Sequence, residues 1–179
     1  MKFSRILICC LLLVTLSYSL RAQVKSSQEP SESVLGFVQR FYSWYVPKAR
    51  AGNPGPAWDL ALKNKSSVFA PELARALKED SEAQAKVPGE IVGLDFDPFL
   101  SAQDPCERYE AGHVVPKGAS YWVEVYGVCS GKRHEKADVV AELIQKDDHW
   151  VFVNFHYPKD RNLLAVLKSL REGREKPAK

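Results

Sequence analysis

Two carboxylates, Asp95 and Asp97, stand two positions apart in the middle of the chain. In an extended segment such residues point to one side, while Leu94 and Phe96 point to the other. Two carboxylates on one side can hold a cation, share a proton or accept hydrogen bonds from turn amides. Because Asp97 precedes Pro98 and the calcium-loop pattern is missing, the sequence favours a turn-capping role and predicts neither a metal nor a cofactor.

Asn154 and His156 form a second polar pair, in a run of otherwise apolar residues. If Asp147 and Asp148 are the two-residue loop of a hairpin, the pairs that result are Gln145 with Trp150, Leu143 with Phe152, Ala141 with Asn154 and Val139 with His156. This register places Asn154 and His156 on the dry face of the sheet. A buried amide or imidazole without a partner costs about 1 to 3 kcal/mol, so backbone, water or a ligand must satisfy them.

The first element that positions these residues is a predicted amphipathic helix. Ser31 can cap it behind Pro30, Phe41 and Tyr45 recur at helical spacing, and Pro47 ends it. Its apolar stripe is wide, which predicts contacts on two sides.

A second helix begins at Pro71, which suits the first helical position. Leu73 and Leu77 mark its apolar face, while Glu79 and Asp80 belong to a charged face that we expect to be solvated.

The second half of the chain predicts an antiparallel meander followed by a helix. Asn162 can cap that last helix, which we expect to run to about Glu172. The predicted strands, rich in aromatic and β-branched residues or alternating in polarity, lie at 108–115, 121–128, 137–144 and 150–157.

Cys106 and Cys129 are the two cysteines that remain once the N-terminal segment is set aside. An exported protein meets an oxidising compartment, so we expect them to form a disulfide bond. The alternatives, a redox pair or a metal site, lack a Cys-x-x-Cys spacing and convergent histidines.

The N-terminal segment has the layout of a secretory signal peptide, because Lys2 and Arg5 precede an apolar run that ends in small and polar residues. We therefore expect export to the periplasm or outside the cell, with no membrane attachment after cleavage. The predicted organisation is a signal peptide at 1–22, a flexible leader at 23–30, one domain at 31–172 and a disordered basic tail at 173–179.

The charge of the chain argues against a nucleic-acid surface. The signal segment holds three of the 25 basic residues and none of the 22 acidic ones, which leaves 22 of each. Nucleic-acid binding would need a clustered excess of Lys and Arg. Signatures of serine hydrolases, phosphate-binding loops and zinc proteases are also missing, so the sequence assigns no enzyme class.

The order of these elements resembles the cone-shaped α+β fold of the nuclear transport factor 2-like superfamily. The runs Phe69 to Leu73, Leu94 to Phe99 and Trp150 to Tyr157, with Gln103-Asp104, resemble a bacterial exported family called domain of unknown function 3828. The resemblance implies a curved antiparallel sheet, a cystatin-like roll, wrapped by N-terminal helices around a conical cavity. The C-terminal helix is an extra element.

Three functional hypotheses follow. The first is a non-catalytic binding protein for an unknown small molecule or protein of the cell envelope, with the candidate ligand-binding residues Phe41, Tyr45, Asp95, Asp97, Trp150, Asn154 and His156. The second is a small acid–base enzyme in which Asp95 or Asp97 is the base and His156 or Tyr157 polarises the substrate. The third is an interaction module or homodimer that uses an outer sheet face with Tyr126, Val151, Val153, Phe155 and Tyr157.

Overall fold

The computed structural model describes residues 33–52 and 55–176, so the predicted signal peptide and leader lie outside the described residues. Within those ranges the fold is α+β, as predicted. The helices are α1 (Val34–Ala49), α2 (Ala57–Asn64), α3 (Pro71–Ala85) and α4 (Leu163–Glu175), with a short 3-10 helix at Ser66–Val68.

The strands form one antiparallel sheet that does not close on itself. Its order is β1-β2-β4-β5-β6, with β3 paired to β2. The bounds are β1 (Arg108–Lys117), β2 (Ser120–Cys129), β3 (Lys132–Arg133), β4 (Val139–Lys146), β5 (His149–Tyr157) and β6 (Arg161–Asn162). The predicted meander is confirmed, and the short strands β3 and β6 are additions to it.

Helix α1 begins two residues later than the sequence predicts. The side chain of Ser33, not Ser31, caps it by accepting a hydrogen bond from the Gly36 N–H at 3.1 Å. Pro47 does not end the helix but lies inside its last turn, which continues to Ala49. The stripe of apolar residues is buried as expected, including Tyr42 and Tyr45 at 0% exposure.

The hairpin through Asp147 and Asp148 is confirmed. Both residues have positive φ, at 47° and 61°, as a tight two-residue hairpin turn requires. Gln145 pairs with Trp150 as predicted, and Leu143 pairs with Phe152, also as predicted.

Farther along the same pair of strands the predicted register is wrong. Between Phe152 and Asn154, β5 holds Val153, whereas the partner residues Leu143 and Glu142 are consecutive in β4. This β-bulge moves every later residue of β5 by one position, and a shift of one residue exchanges the two faces of a strand.

The bulge corrects the expected orientation of Asn154 and His156. Asn154 pairs with Glu142 and His156 with Val140, instead of with Ala141 and Val139. Both polar residues therefore lie on the outer face of the sheet. Phe155 takes the inward position, with 0% of its surface exposed.

The core lies between the inner face of the sheet and the helices, and aromatic rings fill its centre. Phe99 lies 4.9 Å from Phe155 and 5.3 Å from Phe69, measured between ring centroids. Phe41 lies 4.8 Å from Phe152. Closely spaced rings of this kind add stabilisation beyond the burial of apolar surface.

Helix α4 packs against α3 and is fastened at its far end. The guanidinium of Arg174 donates to the Asp80 carboxylate at 2.7 Å and to the Val92 carbonyl at 2.9 Å. Two expectations are therefore wrong. Asp80 is buried rather than solvated, and the residues from Gly173 to Glu175 are helical rather than part of a disordered tail.

No helix in the described ranges is long and apolar enough to cross a membrane.

Candidate functional site

Asp97 caps a buried turn. Its Oδ1 accepts hydrogen bonds from the backbone N–H groups of Phe99 and Leu100, at 2.9 and 3.2 Å. Its Oδ2 accepts a hydrogen bond from the Tyr45 hydroxyl at 2.6 Å. The turn-capping role that the sequence favoured is therefore correct for Asp97, and Tyr45 joins α1 to the turn.

Three further tyrosine hydroxyls hold the same turn. Tyr157 donates to the carbonyl of residue 98 at 2.9 Å, Tyr42 to that of residue 99 at 2.8 Å, and Tyr109 to that of residue 100 at 3.5 Å. The first two are ordinary hydrogen bonds, and the third is at the limit for one. These contacts satisfy carbonyl groups that burial would otherwise leave without partners.

The environment of Asp97 changes its acidity. Burial raises the pKa of Asp97 from 3.8 to about 6, and the hydrogen bonds from Tyr45, Phe99 and Leu100 oppose that rise. Burial, and then the nearby Asp97 carboxylate, raises the pKa of Tyr45 well above 10.0. Tyr45 is therefore a hydrogen-bond donor at neutral pH, whereas Asp97 changes charge in a mildly acidic range.

A cleft of about 500 Å³ opens beside this turn. Among the described residues that line it, Asp95 and Asp97 are the only titratable side chains. Trp58, Leu94 and Phe96 give it apolar walls. The full lining is Ala49, Gly55, Pro56, Ala57, Trp58, Gln84, Ile91, Leu94, Asp95, Phe96, Asp97, Gln103 and Pro105.

Sequence reasoning missed Trp58, Gln84 and Gln103 as cleft residues. Trp58 is 9% exposed, and its indole N–H donates to the Ser81 hydroxyl at 3.1 Å, which fixes the ring. Gln103 donates to the backbone carbonyl of Asp95 at 2.9 Å. A single large aromatic residue at the start of a short helix was the available signal for Trp58.

The other predicted ligand-binding residues are not brought to this cleft. Phe41 is 4% exposed and lies among the aromatic rings of the core. Trp150 lies at the hairpin end of β5, where its ring meets that of Tyr121 edge to face at 5.1 Å.

Asn154 supports the start of helix α4. Its Oδ1 accepts from the backbone N–H groups of Phe155 and Leu164, at 3.0 and 3.2 Å. Its Nδ2 donates to Asn162 Oδ1 at 3.2 Å, and the same oxygen caps α4 by accepting from the Ala165 N–H at 3.0 Å. Both the oxygen and the nitrogen of the Asn154 side-chain amide thus have hydrogen-bond partners within the protein.

His156 has partners on the outer face of the sheet. Its Nε2 lies 2.8 Å from Glu142 Oε2, and its ring stacks on Trp122 at 3.9 Å between centroids. The Lys117 ammonium also lies over the Trp122 ring, 3.4 Å from its centroid. His156 therefore belongs to a partly buried group of polar and aromatic side chains on the outer face, not to a cavity.

Two predicted combinations of residues are not assembled. Asp97 lies on the helix-covered side of the sheet and His156 on the opposite side, so these two cannot reach one substrate atom. Tyr157, the alternative partner of the predicted enzyme, does lie at the Asp97 turn. The predicted outer face is also divided, because Phe155 and Tyr157 face the core at 0% and 6% exposure, whereas Tyr126 lies on the outer face.

The Cys106–Cys129 disulfide bond is present, as predicted. The structure adds a histidine that the sequence pattern did not reveal: His134 Nε2 lies 4.0 Å from Cys106 Sγ. Its Nδ1 lies 2.9 Å from Asp138 Oδ1. Because His134 follows Cys129 by only a turn and a short strand, the hairpin geometry rather than a sequence motif brings it back to Cys106.

Comparison of the chain with family models, curated proteins and solved structures finds no match among them.

Proposed function

We propose that this chain is an exported, non-catalytic binding protein that holds a small organic cation in the cleft beside Asp97. The observation that carries the proposal is the composition of the cleft: the described part of the chain gives it two carboxylates, apolar walls and no basic side chain. A concave, mostly apolar site with a few converging polar groups is the usual form of a small-molecule site.

The charges of the cleft favour a cation over a neutral or anionic ligand. Asp95 is exposed and Asp97 is buried, with 9% of its surface accessible. A carboxylate offers about four acceptor positions, and three hydrogen bonds to Asp97 come from the protein. One acceptor position is left for an ammonium donor, and the partly buried Phe96 ring can contact the ligand's apolar part.

The direct test is calorimetric titration of the mature protein with three probes that share one skeleton. 2-Phenylethylammonium is the cation, 2-phenylethanol the neutral probe and 3-phenylpropanoate the anion. We expect saturable binding of the cation at pH 7, weaker binding of the alcohol and none of the anion. Equal affinity for all three probes would contradict the proposal.

The matched variants are Asp95→Asn in the cleft and Asp104→Asn outside it. Both aspartates are exposed, so neither change should affect folding. Asp95→Asn should weaken cation binding about fivefold, which corresponds to about 1 kcal/mol for an exposed charge pair. Asp104→Asn should leave the affinity unchanged. An equal loss of affinity in both variants would mean that the cation does not bind specifically in this cleft.

A second candidate function, acid–base catalysis by Asp97, is favoured by its pKa of about 6, which lies near a working pH. Here Tyr45 rather than His156 is the hydrogen-bonding partner, at 2.6 Å. Deuterium exchange into bound carbon acids, followed by proton NMR, separates the two functions. Catalysis requires exchange that Asp97→Asn abolishes, whereas a binding protein shows none.

Membership of the nuclear transport factor 2-like superfamily, and of the exported family called domain of unknown function 3828, is also a proposal. What supports it is the order of elements, with three helices before an antiparallel meander, and the Asp97-Pro98-Phe99 turn inside the core. A disulfide bond fits the proposed export.

A further inference from the structure

The disulfide bond lies in a chemical environment that a purely structural cross-link does not need. Cys106 is 6% exposed, but Cys129 is partly exposed and lines an open cleft of about 460 Å³. The other lining residues are Lys132, Arg133, His134, Glu135 and Lys136. A reagent in this cleft would therefore meet Cys129 and an excess of positive charge.

His134 is held in place at the other sulfur. Its backbone N–H donates to the Gly127 carbonyl at 2.9 Å. Its Nδ1 lies 2.9 and 3.0 Å from the two oxygens of Asp138. With Nδ1–H donated to Asp138, Nε2 is directed at Cys106 Sγ, 4.0 Å away.

Gly127 leaves the space in which these groups converge. A Cβ atom at this position would lie 2.9 Å from Cys106 Sγ, 3.1 Å from Asp138 Oδ2 and 3.3 Å from His134 Nδ1. The Gly127 N–H also donates to Asp138 Oδ2 at 2.6 Å. Sulfur, imidazole and carboxylate thus share one site that only glycine accommodates without displacement.

We propose that the Cys106–Cys129 bond is a thiol–disulfide exchange site for small anionic thiols. The thiolate of the external thiol attacks Cys129 Sγ and forms a mixed disulfide there. The Cys106–Cys129 bond breaks, and its electron pair leaves on Cys106 as a thiolate. In the mechanism, His134 is oriented by Asp138 and, with a proton on each ring nitrogen, donates Nε2–H to that thiolate; stabilising the leaving sulfur accelerates exchange.

A second molecule of the thiol completes the reaction. Its thiolate attacks the external sulfur of the mixed disulfide, so that Cys129 leaves and a new disulfide of two external thiols forms. The protein is reduced by two electrons, and the two external thiols are oxidised by the same number. Lys132 and Lys136 at the cleft favour a thiol that carries a carboxylate, while Glu135 is the opposing charge there.

The first test compares three thiols of similar size on the folded protein: 3-mercaptopropionate, 2-mercaptoethanol and cysteamine. Rates are divided by the thiolate fraction of each reagent at pH 7. We expect the anion to react fastest and cysteamine slowest. An equal corrected rate for all three thiols would overturn the proposal. A rate that does not depend on thiol concentration would also overturn it, because unfolding of the protein would then limit reduction.

The second test identifies the attacked sulfur and the role of His134. Iodoacetamide added during the reaction should alkylate Cys106 and leave the external thiol on Cys129, as read by peptide mass spectrometry. His134→Gln should slow exchange about tenfold. His149→Gln, a change at the exposed histidine that begins β5, is the matched control and should have the wild-type rate.

A readout on the reduced protein separates a positioning role from a structural one. In a Cys129→Ala chain, Cys106 is the free thiol, and His134→Gln in that background should slow its alkylation at pH 7 because less thiolate is present. Unchanged alkylation and exchange rates in the His134→Gln chains, or a mixed disulfide formed mainly on Cys106, would contradict the assigned roles.

Discussion

At the scale of single residues, Asp97 illustrates how one side chain combines a structural role with an altered acidity. Its three protein hydrogen bonds stabilise the turn, yet burial raises its pKa to about 6. The sequence indicated a turn-capping aspartate because Asp-Pro is common in turns. It could not indicate the raised pKa, which depends on burial by α1 and the loop rather than on neighbours in sequence.

Asp97 makes stability depend on pH in a defined direction. Its pKa is higher in the folded protein than the ordinary 3.8, so the native state binds a proton more tightly than the unfolded chain. The contribution of Asp97 to the free energy of unfolding therefore rises as pH falls from about 6 to about 4, and is lost as pH rises through 6. The pKa difference corresponds to about 3 kcal/mol.

Urea unfolding of wild-type and Asp97→Asn protein between pH 4 and pH 7 measures this contribution. Relative to the variant, the wild-type protein should gain about 2 kcal/mol between pH 7 and pH 4. Asp104→Asn, a change at an exposed site, should show the same gain in the free energy of unfolding on acidification as the wild-type protein. Parallel curves for wild-type and Asp97→Asn protein would show that Asp97 ionises normally.

At the scale of elements, the bulge in β5 decides which residues reach the core. The turn through Asp147 and Asp148 correctly predicts the first part of the register, since turn type fixes how the strands start. The sequence gives no local signal for an extra residue at Val153. The reason for it is tertiary: the bulge turns Phe155 inward and leaves Asn154 at the edge, where α4 begins.

Asn154 should therefore matter for α4 rather than for ligand binding. Asn154→Ala removes the acceptor for the Leu164 N–H and the donor to Asn162, so we expect a loss of about 1 to 3 kcal/mol in the free energy of unfolding. The amide of Leu164 should also exchange hydrogen faster.

The control for this change is Asn64→Ala, because the Asn64 amide donates to the Leu60 carbonyl at an exposed site, at 2.8 Å. We expect a loss below about 1 kcal/mol there. Equal effects of the two substitutions would argue against the role of Asn154 at the start of α4.

At the scale of the whole molecule, the fold class, the meander and the disulfide bond could be predicted from the sequence, but the location of the cleft could not. Hydrophobic periodicity and turn chemistry are local, and they indicate helices and strands well. The filling of the core by Phe99, and the burial of Asp80 by Arg174, depend on contacts between distant segments. The proposed binding site is consequently the cleft beside the Asp97 turn, because aromatic rings fill the space that was expected between helix and sheet.

The most direct test of the proposed binding site uses the indole N–H signals of the tryptophans, one of which lines the cleft. In proton–nitrogen NMR spectra recorded during titration with 2-phenylethylammonium, we predict a saturable shift of the Trp58 indole signal and of the backbone amides from Leu94 to Asp97. The Trp122 indole, on the outer face of the sheet, should not move. A shift of Trp122 without one of Trp58, or no saturable shift in either, would contradict the proposed site.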